Sequence, residues 1–321
     1  MVIARTPLRI SFAGGGSDIP SYYTQSKGAV LCTSIDKYVY VAAGTENIPD
    51  TWCQSVPHTT LSAIIPTDND IVKMCAQYKN FELYNTACFS DVPAGTGLGG
   101  SSAYISSLLL SMGYGSPHPI SKNDLANDTC MVELDLLKRR IGKQDQYATI
   151  FGGLNFITFD RNGYVKVSPI KISKDIAKEL DNNLILMYTG KTHNSNQILQ
   201  PLSQQLRNGK TYSTMQQMVR LAYALKEMLE TNYIDDFGRI LHEGWKLKRS
   251  LTNLISNSYL DEFYQKGIDS GALGGKLLGA GGGGFMLFYV PNKRLSAFRT
   301  LMADYIELPF HFEQNGSVII N

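Results

Sequence analysis

Asp91-Val92-Pro93-Ala94-Gly95-Thr96-Gly97-Leu98-Gly99-Gly100-Ser101-Ser102-Ala103 places four glycines within six residues, then two serines, ahead of an apolar run from Tyr104 to Met112. The pattern predicts a loop whose main chain approaches something closely and then enters a helix. Glycine admits positive φ and has no Cβ to hold a ligand away. The first helical turn adds unpaired N–H groups and the positive end of a dipole, which together suit an oxyanion such as phosphate. Ser101 reads as the N-cap, with the Ser102 hydroxyl beside it free to face a metal or a phosphate. The stretch is a candidate triphosphate cradle; a structural turn alone rarely carries so many glycines before a helix.

Two other phosphate motifs are excluded by context. Gly95-x-Gly97-x-x-Gly100 formally matches a dinucleotide fingerprint, but that motif needs an acidic residue closing a strand about twenty positions on. Pro117, Pro119 and a helix start stand there instead. No lysine follows the glycines, so the stretch is not a Walker loop. A second formal match, within Gly274 to Gly284, runs into Phe285-Met286-Leu287-Phe288-Tyr289-Val290, a strand rather than a helix.

A chain of 321 residues exceeds the usual single-domain size, and two domains sharing a cleft are expected. The division is placed between 170 and 185, giving an N-terminal domain over 1–178 and a C-terminal domain over 179–321. With 43% hydrophobic and 18% charged residues, the composition is that of a globular protein. A formal charge of +2 makes no electrostatic case for nucleic acid or membrane binding. No apolar run approaches a membrane-spanning length of about 20 residues. Cys32, Cys53, Cys75, Cys88 and Cys130 are odd in number and widely spaced. They read as reduced thiols of a cytoplasmic protein. Oligomeric state is left open.

Along the chain, Val2 to Phe12 is strand-like and ends in Ala13-Gly14-Gly15-Gly16-Ser17-Asp18, a second glycine-rich turn. Arg9 and Asp18 could both reach a cleft, or Asp18 could simply cap the turn ahead of Pro20. Val30 to Ala43 is extended, with a break at Asp36-Lys37. A short helix is expected over Ile71 to Tyr78 and a strand over Phe81 to Phe89. Ser121-x-x-Asp124 caps a helix that continues at helical spacing through Leu125, Met131, Leu134 and Leu137 toward Arg140. Glu133 lies in that helix, and Asp145 follows twelve residues later. Asp160-Arg161-Asn162-Gly163 predicts a hairpin between Leu154–Phe159 and Tyr164–Val167. In the second half, a strand at Leu184–Tyr188 precedes helix from about 194 to 270, broken near Gly209 and Asn232. Its stripe of Met215, Met218, Ala222, Leu225 and Leu229 reads as packing.

Three glycine-rich stretches in this order resemble the GHMP small-molecule kinase superfamily of galactokinase, homoserine kinase, mevalonate kinase and phosphomevalonate kinase. Pro93, Gly97-Leu98, Gly99 and Ser101-Ser102-Ala103 match its nucleotide motif with one extra residue before the serines, and Lys276 to Phe285 looks like its C-terminal motif. Thr6 to Asp18 looks like the D-glycero-D-manno-heptose 7-phosphate kinases, with fucose kinases as relatives; the Gly-Glu-His-Thr-Asp form of galactokinases is absent. The resemblance implies a two-domain α+β GHMP kinase fold, with a ribosomal protein S5 domain 2-like N-terminal domain and a ferredoxin-like C-terminal domain. It also implies ATP and Mg²⁺ as cofactors and a sugar phosphate as the small-molecule partner, activated for surface polysaccharide. By position, Asp145 and Arg9 match the catalytic pair. Pro93, Gly95, Gly97, Leu98, Gly99, Gly100, Ser101 and Ser102 match the nucleotide loop, while Ser102 and Glu133 match the magnesium ligands. Arg9, Gly15, Gly16, Ser17, Asp18, Asp145, Gly281 and Gly282 match the acceptor site. Lys191, His193 and Lys276 are candidates for an acceptor phosphate.

Overall fold

The computed structural model describes residues 1–44, 63–65, 69–81, 86–114, 118–192 and 195–320. The first strands alternate side chains between two apolar layers, because successive Cβ atoms point to opposite faces. β1 (Val2–Ala13) pairs antiparallel with β2 (Gly28–Ala43), the two joined through the short helix α1 (Pro20–Tyr23). On β2, Ala29 and Leu31 pack into one core while Val30 and Cys32 pack into the other. A sheet covered on both faces reads as a continuous apolar run, as these strands do. The break expected at Asp36-Lys37 is a bulge: Pro7 faces Tyr38, and the next residue, Leu8, faces Ile35.

The sheet is completed by β3 (Ala63–Ile65), β4 (Thr86–Ser90), β5 (Leu154–Phe159), β6 (Val165–Pro169) and β11 (Val318–Ile319). β4 pairs with the far half of β2 and β5 with its near half. Of the strand expected over Phe81 to Phe89, residues 82–85 lie outside the described residues. The Asn162-Gly163 turn joins β5 to β6, with Gly163 at φ 84°. One face of the sheet carries α2 (Asp70–Lys79), α3 (Gly100–Met112), α4 (Lys122–Cys130) and α5 (Gln144–Phe151). Ser121 caps α4 by accepting from the Asp124 amide. The helix does not continue in α form toward Arg140. From Met131 to Leu136 it widens to a π-helix, and Lys138 turns left-handed at φ 53°.

The second sheet runs β10 (Glu307–Leu308), β7 (Leu184–Tyr188), β9 (Phe285–Tyr289) and β8 (Gly274–Leu277), all antiparallel. In chain order this is the fourth, first, third and second strand, the ferredoxin-like arrangement. α6 (Lys174–Asn183) leads into β7, and α11 (Leu295–Leu301) precedes β10. Between β7 and β8 stand four helices: α7 (Ser195–Arg207), α8 (Tyr212–Glu230), α9 (Phe237–Leu251) and α10 (Ser258–Asp269). Breaks fall near Gly209 and Asn232, as expected, and also between Leu251 and Ser258. There Asn257 restarts the helix by accepting from the Leu260 amide. The stripe from Met215 to Leu229 is buried.

The chain then returns to the first sheet. Ile35 bridges Phe312, the Glu313 amide donates to the Ser34 carbonyl, and β11 pairs with β1, Ala4 facing Ile319.

Candidate active site

A cavity of about 610 Å³ opens between the two sheets' elements. The glycine loop forms one wall. Gly95, Gly97 and Gly99 hold φ of 73°, 82° and 79°, in the region that favours glycine. Gly97 could carry no Cβ, which would stand 2.7 Å from the Leu278 carbonyl oxygen. At this position, then, the missing side chain serves an approach to the protein's own β8 end. Ser101 is not the N-cap of α3. Gly99 occupies that position in left-handed geometry and offers no capping side chain, so the first amides of α3, on residues that line the cavity, have no side-chain cap. Pro93, Gly95, Gly97, Gly99, Gly100, Ser101 and Ser102 line the space. Leu98 is buried beneath, its carbonyl accepting from the Arg9 amide.

Arg9 joins this loop to α5. Its Nε donates to Asp145 Oδ1 at 2.8 Å, its Nη2 stands 2.7 Å from the same oxygen, and its Nη1 donates to the Gly97 carbonyl at 2.6 Å. Arg9 is buried, whereas the Asp145 side chain is 31% exposed toward the cavity. Asp18 reaches the residue next to Asp145: its Oδ2 accepts from the Gln144 amide at 3.0 Å and its Oδ1 from the Gly16 amide at 2.9 Å. Burial pushes the Asp18 carboxyl up, the Gln144 amide pulls it back, and the Asp145 charge adds to the rise. Each Asp18 oxygen keeps a lone pair for a ligand hydroxyl. Gly15 and Gly16 line the cavity, but Ser17 does not. Its hydroxyl is turned inward to the Ala29 backbone. Gly281 and Gly282 pack on Ile255, with the Gly282 amide donating to its carbonyl; the neighbouring Gly279 and Ala280 line the space instead.

Glu133 sits in the π-helical turn, fully buried. Its Oε1 accepts from Ser101 Oγ and Arg139 Nη1 at 2.7 and 2.8 Å, and its Oε2 from Ser102 Oγ and Gln146 Nε2 at 2.5 and 2.7 Å. Arg139 also contacts the Ser101 hydroxyl. Among the described residues no group of three or more His, Cys, Asp or Glu side chains could hold a metal. A magnesium ion needs only one or two protein oxygens beside phosphate and water. Ser102 and Glu133, adjacent hard oxygens lining the cavity beside the glycine loop, fit that requirement.

Several lining residues carried no sequence motif. Val39, Ile71, Cys88, Val92 and Tyr104 form an apolar end beyond the glycine loop. The buried Tyr104 hydroxyl has no partner among the described residues. Gly142 lies flat under Asp18, where a Cβ would stand 1.8 Å from Oδ2. Lys248, on α9, donates to the Leu277 and Gly279 carbonyls at 2.8 and 2.7 Å. Lys276 donates to the Phe12 carbonyl at 3.1 Å. Of the other anion candidates, Lys191 is exposed over the Tyr259 ring, and His193 lies outside the described residues.

Comparison with known proteins gives concordant likenesses. The model of the GHMP kinases N terminal domain matches residues 69–153, and that of the GHMP kinases C terminal matches 221–300. A D-glycero-alpha-D-manno-heptose 7-phosphate kinase of Campylobacter jejuni is 32% identical, over 97% of this chain and 96% of its own. A bifunctional fucokinase/GDP-fucose pyrophosphorylase of Arabidopsis thaliana is 26% identical over 94% of this chain and 31% of its own length. The crystal structure of a D-glycero-D-manno-heptose 1-phosphate kinase from Bacteroides thetaiotaomicron superposes with a TM-score of 0.77 at 25% identity, covering 100% of this chain and 99% of the other.

Proposed function

The chain belongs to the GHMP kinase family, and on that premise we propose that it transfers the γ-phosphoryl group of ATP to the anomeric C1 hydroxyl of D-glycero-D-manno-heptose 7-phosphate. The observation that carries this reading is the pair Asp18 and Asp145, tied together through the Gln144 amide and joined to the glycine loop by Arg9. One carboxylate grips acceptor hydroxyls while the other stands where a single hydroxyl must meet the phosphate. The similarity to the Campylobacter jejuni heptose 7-phosphate kinase supports the choice of sugar.

Phosphoryl transfer asks mainly for positioning and charge stabilisation. The uncapped amides of α3 and the loop backbone hold the nucleotide phosphates, and the Val39–Tyr104 end takes the base. Asp145 orients the C1 hydroxyl and accepts its proton. The anomeric hydroxyl is more acidic than an ordinary alcohol, which suits so weak a base as a carboxylate. Arg9 holds the Asp145 carboxylate in position through two contacts, and its Nη1, anchored on Gly97, sets positive charge beside the migrating phosphoryl. Ser102 and Glu133 would hold magnesium, which supplies charge neutralisation at the phosphates. Arg139, paired with Glu133, adds a cation on the same side.

The test is a kinetic comparison of heptose 7-phosphate, free heptose and fucose, with phosphorus NMR of the products. Formation of the 1,7-bisphosphate is expected, with the phosphorylated heptose preferred at least tenfold in kcat/KM, about 1.4 kcal/mol. Equal efficiency on fucose or free heptose, or a product phosphorylated away from C1, overturns the choice of substrate.

A further inference from the structure

Charge in the cavity is unevenly matched. Arg9 is met by Asp145 and Arg139 by Glu133. Lys248 and Lys276 also line it, at 8% and 6% exposure, yet among the described residues neither forms an ion pair. Their hydrogen bonds go to backbone carbonyls, and Lys248 Nζ also stands 5.9 Å from the Trp245 ring centroid. An ammonium has three N–H donors. Lys248 spends two on Leu277 and Gly279, and Lys276 spends one on Phe12, so three donors between them stay uncommitted. A buried cation without a counter-charge is costly, and an anion entering the cavity would supply the missing partner.

Resting on the function proposed above, we propose that Lys248 and Lys276 together bind a phosphate monoester dianion inside the cavity. Two phosphates could fill this place: the acceptor's own, or the phosphoryl group in transit. The structure favours the acceptor's. Phe12, which anchors Lys276, lies at the root of the Gly14–Asp18 loop, while the nucleotide phosphates have the α3 amides and Arg9. Lys248 is also held in place, since the Leu277–Gly279 backbone that accepts from it abuts Gly97. Their electrostatics agree. Burial first, then the Arg9 charge, brings Lys248 down to about 7, and burial with the Lys248 and Arg9 charges pushes Lys276 lower than an ordinary lysine. An incoming dianion reverses both effects.

Lys248→Gln and Lys276→Gln keep a donor for the carbonyls and remove the charge. Calorimetry and kinetics are run on each with heptose 7-phosphate and with unphosphorylated heptose, folding being checked by circular dichroism. At least tenfold weaker binding of the phosphorylated sugar, with the preference over the free sugar collapsing, assigns the site to the acceptor phosphate. Equal falls in kcat on both sugars, at unchanged affinity, assign it to the group in transit. Folded variants that bind and turn over both sugars like the wild type overturn the proposal. If the wild type turns over neither sugar, the functional reading fails separately. Titration with inorganic phosphate in the presence of ADP then decides the site: loss of binding in the variants supports it, and unchanged binding refutes it.

Discussion

Replacing Lys248 by Met should change how stability depends on pH. Folding carries this amine from an ordinary value of 10.5 to about 7, chiefly by burial and secondarily through Arg9. Between those limits the unfolded chain binds more protons than the native protein, so stability rises with pH. The sign follows from the depressed value: the penalty of a buried ammonium is fully present below about 7 and is gone above 10.5. Integrating the two titrations from pH 7 to pH 9 gives about 2 kcal/mol of added stability from this one group. Lys248→Met lacks that increment. Met matches the length of the Lys stem but leaves the Leu277 and Gly279 carbonyls without their donor, so the variant can lie above or below wild type at a single pH. The informative quantity is the change in their difference. Lys276 faces the same cavity and titrates in both proteins, but the Lys248 charge that helps lower it is absent from the variant, so its contribution does not cancel completely. Denaturant unfolding of ligand-free protein at pH 7 and pH 9 should show the wild type gaining about 2 kcal/mol on the variant. Parallel pH profiles, with the difference constant to about 0.5 kcal/mol, would refute the claim that Lys248 is a charge held without a counter-ion.

Asp145→Asn should lower kcat by roughly 10²-fold or more while ATP affinity stays nearly unchanged, because only the orienting base is lost; steady-state kinetics with nucleotide titration checks both. Glu133→Gln removes the charge and turns one of two oxygens, each serving two donors, into an amide nitrogen that cannot accept. The Mg²⁺ needed for half-maximal rate should rise, and stability should fall by about 1–3 kcal/mol; superimposable Mg²⁺ titrations would return Glu133 to a structural role. Gly142→Ala pushes a methyl into Asp18 Oδ2, so the acceptor KM should rise at least tenfold with the ATP KM unmoved. Equal acceptor KM values would mean that Asp18 does not read the sugar.

The parts of the site legible in the sequence are those written in local runs. The glycine loop and the Asp18 turn announce themselves because backbone torsion restricts them to glycine, and Glu133 and Asp145 through their place in a matched motif. Ser101 misled because a serine before an apolar run resembles a cap, whereas left-handed Gly99 had already taken that role. The π-helical turn was invisible, since Leu125 to Leu137 fits an α-helical period well enough. Gly142 could not be singled out without knowing that Asp18 folds across it. Lys248 left a faint trace. It falls three residues after Trp245 and three before Leu251, on the apolar face of α9 where all three are buried. A lysine in an amphipathic helix ordinarily belongs to the wet face, so spacing alone did not mark it out.

The return of the chain to its first sheet has a kinetic consequence. Ala4 and Ile319 face each other across β1 and β11, roughly three hundred positions apart, and such distant pairings slow folding. During synthesis at about 5–20 residues per second, β1 stands without this neighbour for tens of seconds while the ferredoxin-like unit emerges. The Asp36–Lys37 bulge, which receives His311 through paired backbone and side-chain bonds, must wait as well. An edge strand left open that long is a template for stray strands. The nascent protein is therefore most exposed to aggregation after its glycine loop has formed and before its last strand arrives.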